Sequence, residues 1–153
     1  MSSVFWVAVV IGAITFLAPE FYSMKFQRSR ESELVKLSRE YEGVNKLNLK
    51  FALAWLLFSL LLPSFLFIIS HKSSQFELIA SAMMVLIFSG VSLFRGIFAM
   101  MKGVFPSTKY YGSRTLYAYG DSEEIKRFGR LVMIVSSGLG ALAIISIVVI
   151  LLM

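Results

Sequence analysis

The sequence predicts an all-α integral membrane protein: a four-helix transmembrane bundle with an amphipathic cytoplasmic helix between the first and second spans. Three observations predict it. The chain is 58% hydrophobic and only 16% charged, where a soluble domain carries roughly a quarter charged residues. Apolar runs of the length that crosses a bilayer, roughly 20 residues, recur four times. All of the 15 basic residues except Lys72 and Arg95 fall in two stretches flanked by those runs. The first stretch holds Lys25, Arg28, Arg30, Lys36, Arg39, Lys46 and Lys50. The second holds Lys102, Lys109, Arg114, Lys126, Arg127 and Arg130.

The whole chain reads as a single membrane domain, with spans expected at about 4–22, 49–70, 77–101 and 128–153. The first lacks a basic leader, and Ala18-Pro19-Glu20 is a poor cleavage site. It therefore reads as an uncleaved transmembrane helix. The second carries Pro63, which removes a backbone donor and should kink it. A short link at about 71–75, with His71 and Lys72, makes spans two and three antiparallel neighbours. Spans three and four are rich in small residues: Ser81, Ala82, Ser89, Gly90 and Ser92 in one, Ser136, Ser137, Gly138, Gly140, Ala141 and Ala143 in the other. Small residues let helices approach closely in lipid. They suit packing within the bundle, or an interface with a second copy or another subunit.

The two long basic loops, about 23–48 and 102–127, belong on the cytoplasmic side by the positive-inside rule. Both termini are then outside, in a periplasm-like compartment. The net charge of +6 follows from the same bias, so no nucleic-acid partner is expected. In the first loop, Leu34, Leu37, Tyr41, Val44 and Leu47 recur at helical spacing. They predict an amphipathic helix over 30–49, either covering the underside of the bundle or lying at the interface. In the second, Phe105-Pro106 ends span three, and Asp121-Ser122-Glu123-Glu124 has the chemistry of a helix start.

Catalytic and metal sites are not expected. There is no cysteine and one histidine, and dinucleotide and phosphate-loop patterns are absent. No cofactor is implied. Two groups of residues are candidates for binding. Glu20 and Arg95 come late in spans one and three, at matched depth. Charges there are costly and tend to pair or to line a wet cavity. Arg95 can also extend its stem to the headgroups. The second group is Tyr110, Tyr111, Gly112, Arg114 and Thr115, where rings, a turn glycine and a forked donor crowd together.

That second segment resembles the signature of the bacterial SdpI-like family, which includes immunity proteins against a secreted toxic peptide. The family carries a Gly-x-Arg-Thr turn after one span, then a Ser/Glu-rich helix start and another span. Gly112, Arg114 and Thr115 match the turn, and Ser122-Glu123-Glu124 approximates the helix start. The likeness covers about 109–131 and the span that follows. Ile125 stands where the family usually has Trp, and the Asn before the glycine turn is missing. The resemblance implies a protective or toxin-responsive membrane protein rather than an enzyme, with a protein or peptide partner. The alternatives are a small accessory subunit of a larger membrane complex, or a small transporter or channel.

Overall fold

The computed structural model describes residues 3–42, 53, 57, 61, 73–111 and 114–152. Helix α1 is Ser3–Tyr22, followed by a 3₁₀ turn at Ser23–Lys25 and strand β1 at Gln27–Arg28. Helix α2 is Glu31–Glu40. Helix α3 is Ser73–Lys102, and strands β2 and β3 are Phe105–Tyr111 and Arg114–Tyr119. Helix α4 is Ser122–Leu152.

The chain is mostly helical, and three of its helices, α1, α3 and α4, are long and apolar enough to cross a membrane. Their outer faces are apolar and bare: Val10, Ile14, Phe21, Leu131, Leu142 and Ile145 are all more than half exposed. Such faces suit lipid, which needs no polar cover. Most of the expected second span, with Pro63 and His71, lies outside the described residues. Within it Leu53, Leu57 and Leu61 are helical and exposed.

Helix α3 is the centre of the bundle, packed against both α1 and α4. Toward α1, contacts climb in step: Phe88 covers Gly12, Ser92 meets Thr15, and Arg95 meets Glu20. The two helices are therefore parallel. Toward α4 the order reverses, with Ser89 beside Gly140 and Gly96 beside Gly129, so that pair is antiparallel. At the crossing, a Cβ added to Gly129 would sit 2.7 Å from the Met100 nitrogen and 2.8 Å from the Gly96 carbonyl oxygen. Only glycine permits that backbone approach, the small-residue contact of membrane helices.

The second loop is not a helical connection. β2, β3 and β1 form an antiparallel sheet in the order β1-β3-β2. The expectation of an all-α chain is corrected here. Residues 105–119 are rich in aromatic and Thr side chains that favour strands. β2 shifts register between Pro106 and Tyr110, where the proline contributes no N–H to the ladder. Gly103, at φ 66°, ends α3 in the left-handed conformation and returns its N–H to the Ala99 carbonyl at 2.9 Å. Helix α4 starts at Ser122, within the expected helix start at 121–124, and the Asp121 carboxylate accepts the Glu123 N–H at 3.0 Å as the cap.

The sheet closes the end of the bundle where α1 and α3 finish and α4 begins. Phe26, Phe105 and Ala118 pack there against Ala99, Ile125, Phe128 and Val132. Helix α2 lies on β3. Its Leu34 is 1% exposed, a burial that stabilises by roughly 1.5–3 kcal/mol. Tyr41, Phe98 and Tyr117 form a second cluster, with Leu37 of α2 packed against it. The amphipathic helix expected over 30–49 is thus present over Glu31–Glu40, and residues 43–49 lie outside the described ones.

Candidate functional site

Proline at position 19 is the local origin of the polar centre. It lies inside α1 and has no N–H to offer the Thr15 carbonyl one turn back. Ser92 of α3 fills that role, its hydroxyl donating to the Thr15 carbonyl at 3.0 Å. Arg95, one turn further on, donates to the Phe16 carbonyl at 3.5 Å. A break in one helix's hydrogen-bond ladder is thereby repaired by the neighbouring helix, as buried backbone acceptors require.

Glu20 and Arg95 meet. Their side chains form a buried ion pair, with Glu20 5% and Arg95 2% exposed. Of the two arrangements open to Arg95, pairing prevails over extension to the headgroups. Arg95 also donates through Nε to the Pro106 carbonyl at 3.0 Å, and its guanidinium lies 4.7 Å from the Phe105 ring centroid. Ser107 donates its hydroxyl to the other Glu20 oxygen. Arg28 reaches the same carboxylate oxygen at 3.3 Å and the Ser23 hydroxyl at 3.3 Å. Ser23 in turn donates to the Glu20 carbonyl at 2.8 Å. One carboxylate thus ties α1, α3, β1 and β2 together. Arg28, Ser23, Ser107 and Pro106 were not expected here. Ser107 and Pro106 are remote in sequence and reach the Glu20–Arg95 pair through the sheet, whereas Ser23 and Arg28 follow Glu20 by three and eight residues.

The second candidate group behaves differently. Tyr110 pairs with Thr115 and Tyr111 with Arg114 across the hairpin. Gly112 lies outside the described residues. Thr115 is buried, whereas Arg114 is exposed. Among the described residues, the hairpin meets α2 through Tyr119. The Tyr119 hydroxyl donates to the Glu33 carboxylate, which also accepts the Arg30 N–H at 3.1 Å to start α2. These two bonds hold the Glu33 carboxyl below the usual carboxylate range. The same carboxylate raises the Tyr119 phenol.

A groove of about 710 Å³ runs between α1 and α4, walled by Ile11, Ile14, Leu131, Val135 and Leu139. At its sheet end stand Tyr22, Glu124 and Arg127, with Lys25 bonded to both the Tyr22 hydroxyl and Glu124. The hydropathy pattern gave no sign of it, because a groove wall and a lipid-facing surface have the same composition.

No known protein family, curated protein or solved structure matches the chain. The chemistry must therefore be read from the arrangement itself. Among the described residues no three His, Cys, Asp or Glu side chains are grouped to hold a metal ion. The Glu20–Arg95 centre satisfies its own charges and joins elements. The groove is open, apolar and charged at one end.

Proposed function

We propose that the protein is an integral membrane binding protein that receives a membrane-active molecule in the groove between α1 and α4, and catalyses no reaction. The groove is the observation that carries this reading. Its apolar walls face the bilayer depth, so an occupant enters from lipid without crossing water. Immunity against a membrane-active toxic peptide is the specific form we favour. The Gly-x-Arg-Thr match to the SdpI-like family supports it, since Arg114 and Thr115 sit at the start of β3.

The proposed topology has four spans, with both termini outside and the sheet with α2 in the cytoplasm of a bacterial inner membrane. Helix α2 lies at the sheet end, while α3 begins at the opposite end, about 45 Å away by its own rise. Residues 43–72 join those two ends, and their apolar core at 49–70 is suited to a second span. The basic residues gather at the sheet end, which makes that end the inner one.

Protection is tested by expressing the chain in cells sensitive to a membrane-active peptide. Survival should rise with the wild type and fall when Val135→Trp fills the groove. Equal survival with and without the wild-type protein would defeat the protective reading. A second reading, an accessory subunit or self-associating chain, is favoured by one observation. Among the described residues, nothing lies within 4 Å of where a Cβ on Gly138 of α4 would stand, so a small-residue face is bare of them. Sizing in detergent with Gly138→Leu checks it. That variant should break an assembly and leave a monomer unaffected.

A further inference from the structure

From the charge at the groove's mouth we infer a resting occupant: an anionic phospholipid of the sheet-side leaflet, one acyl chain in the groove and its phosphate at Arg127. The inference rests on the groove being a binding site, and it adds which chemistry fills it. Glu124 does not make the mouth acidic, because Lys25 already bonds it. Arg127 lines the groove and makes no hydrogen bond or ion pair among the described residues. Glu123, whose charge Arg127 also feels, is bonded to Lys126. The mouth therefore carries surplus positive charge beside an apolar cleft. That is complementary to an amphiphile with an anionic head, and it disfavours one with a cationic end.

The dimensions agree. From Arg127 to Leu139 the groove wall rises about 18 Å at 1.5 Å per residue. This is a little over half of the roughly 30 Å hydrocarbon core, the depth reached by a chain of one leaflet. A guanidinium binds phosphate with a fork of donors, which ammonium groups do not match. Tyr22 beside it has the amphipathic ring favoured at headgroup level.

The experiment uses the full chain extracted from vesicles of equal phosphatidylglycerol and phosphatidylcholine with identical acyl chains, and native mass spectrometry of the retained lipid. Wild type should retain phosphatidylglycerol preferentially. Arg127→Gln should reduce that preference about fivefold, the effect of one basic residue near an anionic surface. Val135→Trp should abolish retention of both lipids. Because Arg127 is exposed, its substitution leaves the fold intact, so the result stands even if the tryptophan variant proves unstable. Undiminished preference in Arg127→Gln overturns the proposal, as does equal retention of the two lipids by the wild type. If no lipid is retained but Val135→Trp still abolishes survival, the lipid assignment fails and the protective function stands.

Discussion

Along α3, the seam toward α4 is closed by backbone contact at Gly96 and Gly129, whereas the seam toward α1 is fastened by side chains, Ser92 to Thr15 and Arg95 to Glu20. The first depends on the absence of atoms and the second on the presence of particular ones. Backbone contact in lipid gains dispersion along its length and tolerates no added volume. A polar clasp acts at points, and leaves α1 free to diverge from α4 on the far side. The open groove follows from that second kind of attachment. A helix pinned by bonds on one face needs no close partner on the next.

The sharpest way to break this contrast is to remove the clasp's shared carboxylate. Glu20→Ala leaves the Arg95 guanidinium buried without its ion-pair partner, and should cost about 3–5 kcal/mol. Thermal unfolding in detergent checks it, and loss below about 1 kcal/mol would mean that the centre is wet and weak. Next in size is Gly129→Ala, whose methyl would meet backbone from α3 and should cost about 1–3 kcal/mol. The same change at Gly138, on the same helix, should be neutral or gain up to about 1 kcal/mol, because nothing opposes it. If the two alanines behave alike, the seam is not closed by backbone contact.

Ser92→Ala removes the donor that serves Thr15 across the proline gap, and should cost about 1–3 kcal/mol. In the Pro19→Ala background that cost should shrink, since residue 19 then supplies the N–H itself. A double-mutant cycle measures the coupling, and strict additivity would show that the bond does not repair the ladder. The smallest effect concerns the sheet end. Glu33 is held ionised by Tyr119 and the Arg30 N–H, so its folded pKa is lowered. Its contribution is present above the unfolded value and is lost as pH falls through the lowered folded one. Glu33→Gln should flatten the stability curve in that acidic range, and an unchanged curve would dissociate α2 from the hairpin's hold.

The sheet shows where pattern reading failed and what signal was available. Two aromatic and Thr-bearing runs, 105–111 and 114–119, are separated by Gly112-Ser113 alone, the spacing of a two-residue hairpin. Flanking spans and basic residues made the segment look like a loop. The Glu20–Arg95 pair was legible because depth along two helices is fixed by the rise per residue. Ser107 was not, because a strand order of β1-β3-β2 brings together residues that no local period connects; Ser23 and Arg28 follow Glu20 closely but sit in a three-residue turn and a two-residue strand, too short to show a period.

By itself the sequence determined which stretches are apolar enough to cross a membrane, where α2 lies, and that two deep charges would need each other. Those are properties of composition, period and solvation, which act locally along a chain. Only the tertiary structure decided that α3 would pack against both α1 and α4, that Gly96 would face Gly129, that one carboxylate would gather two arginines and a serine, and that a groove would remain. Each of these depends on which helix faces turn toward one another. In lipid, inward and outward faces are both apolar, so hydropathy cannot distinguish them; steric fit and a few hydrogen bonds can.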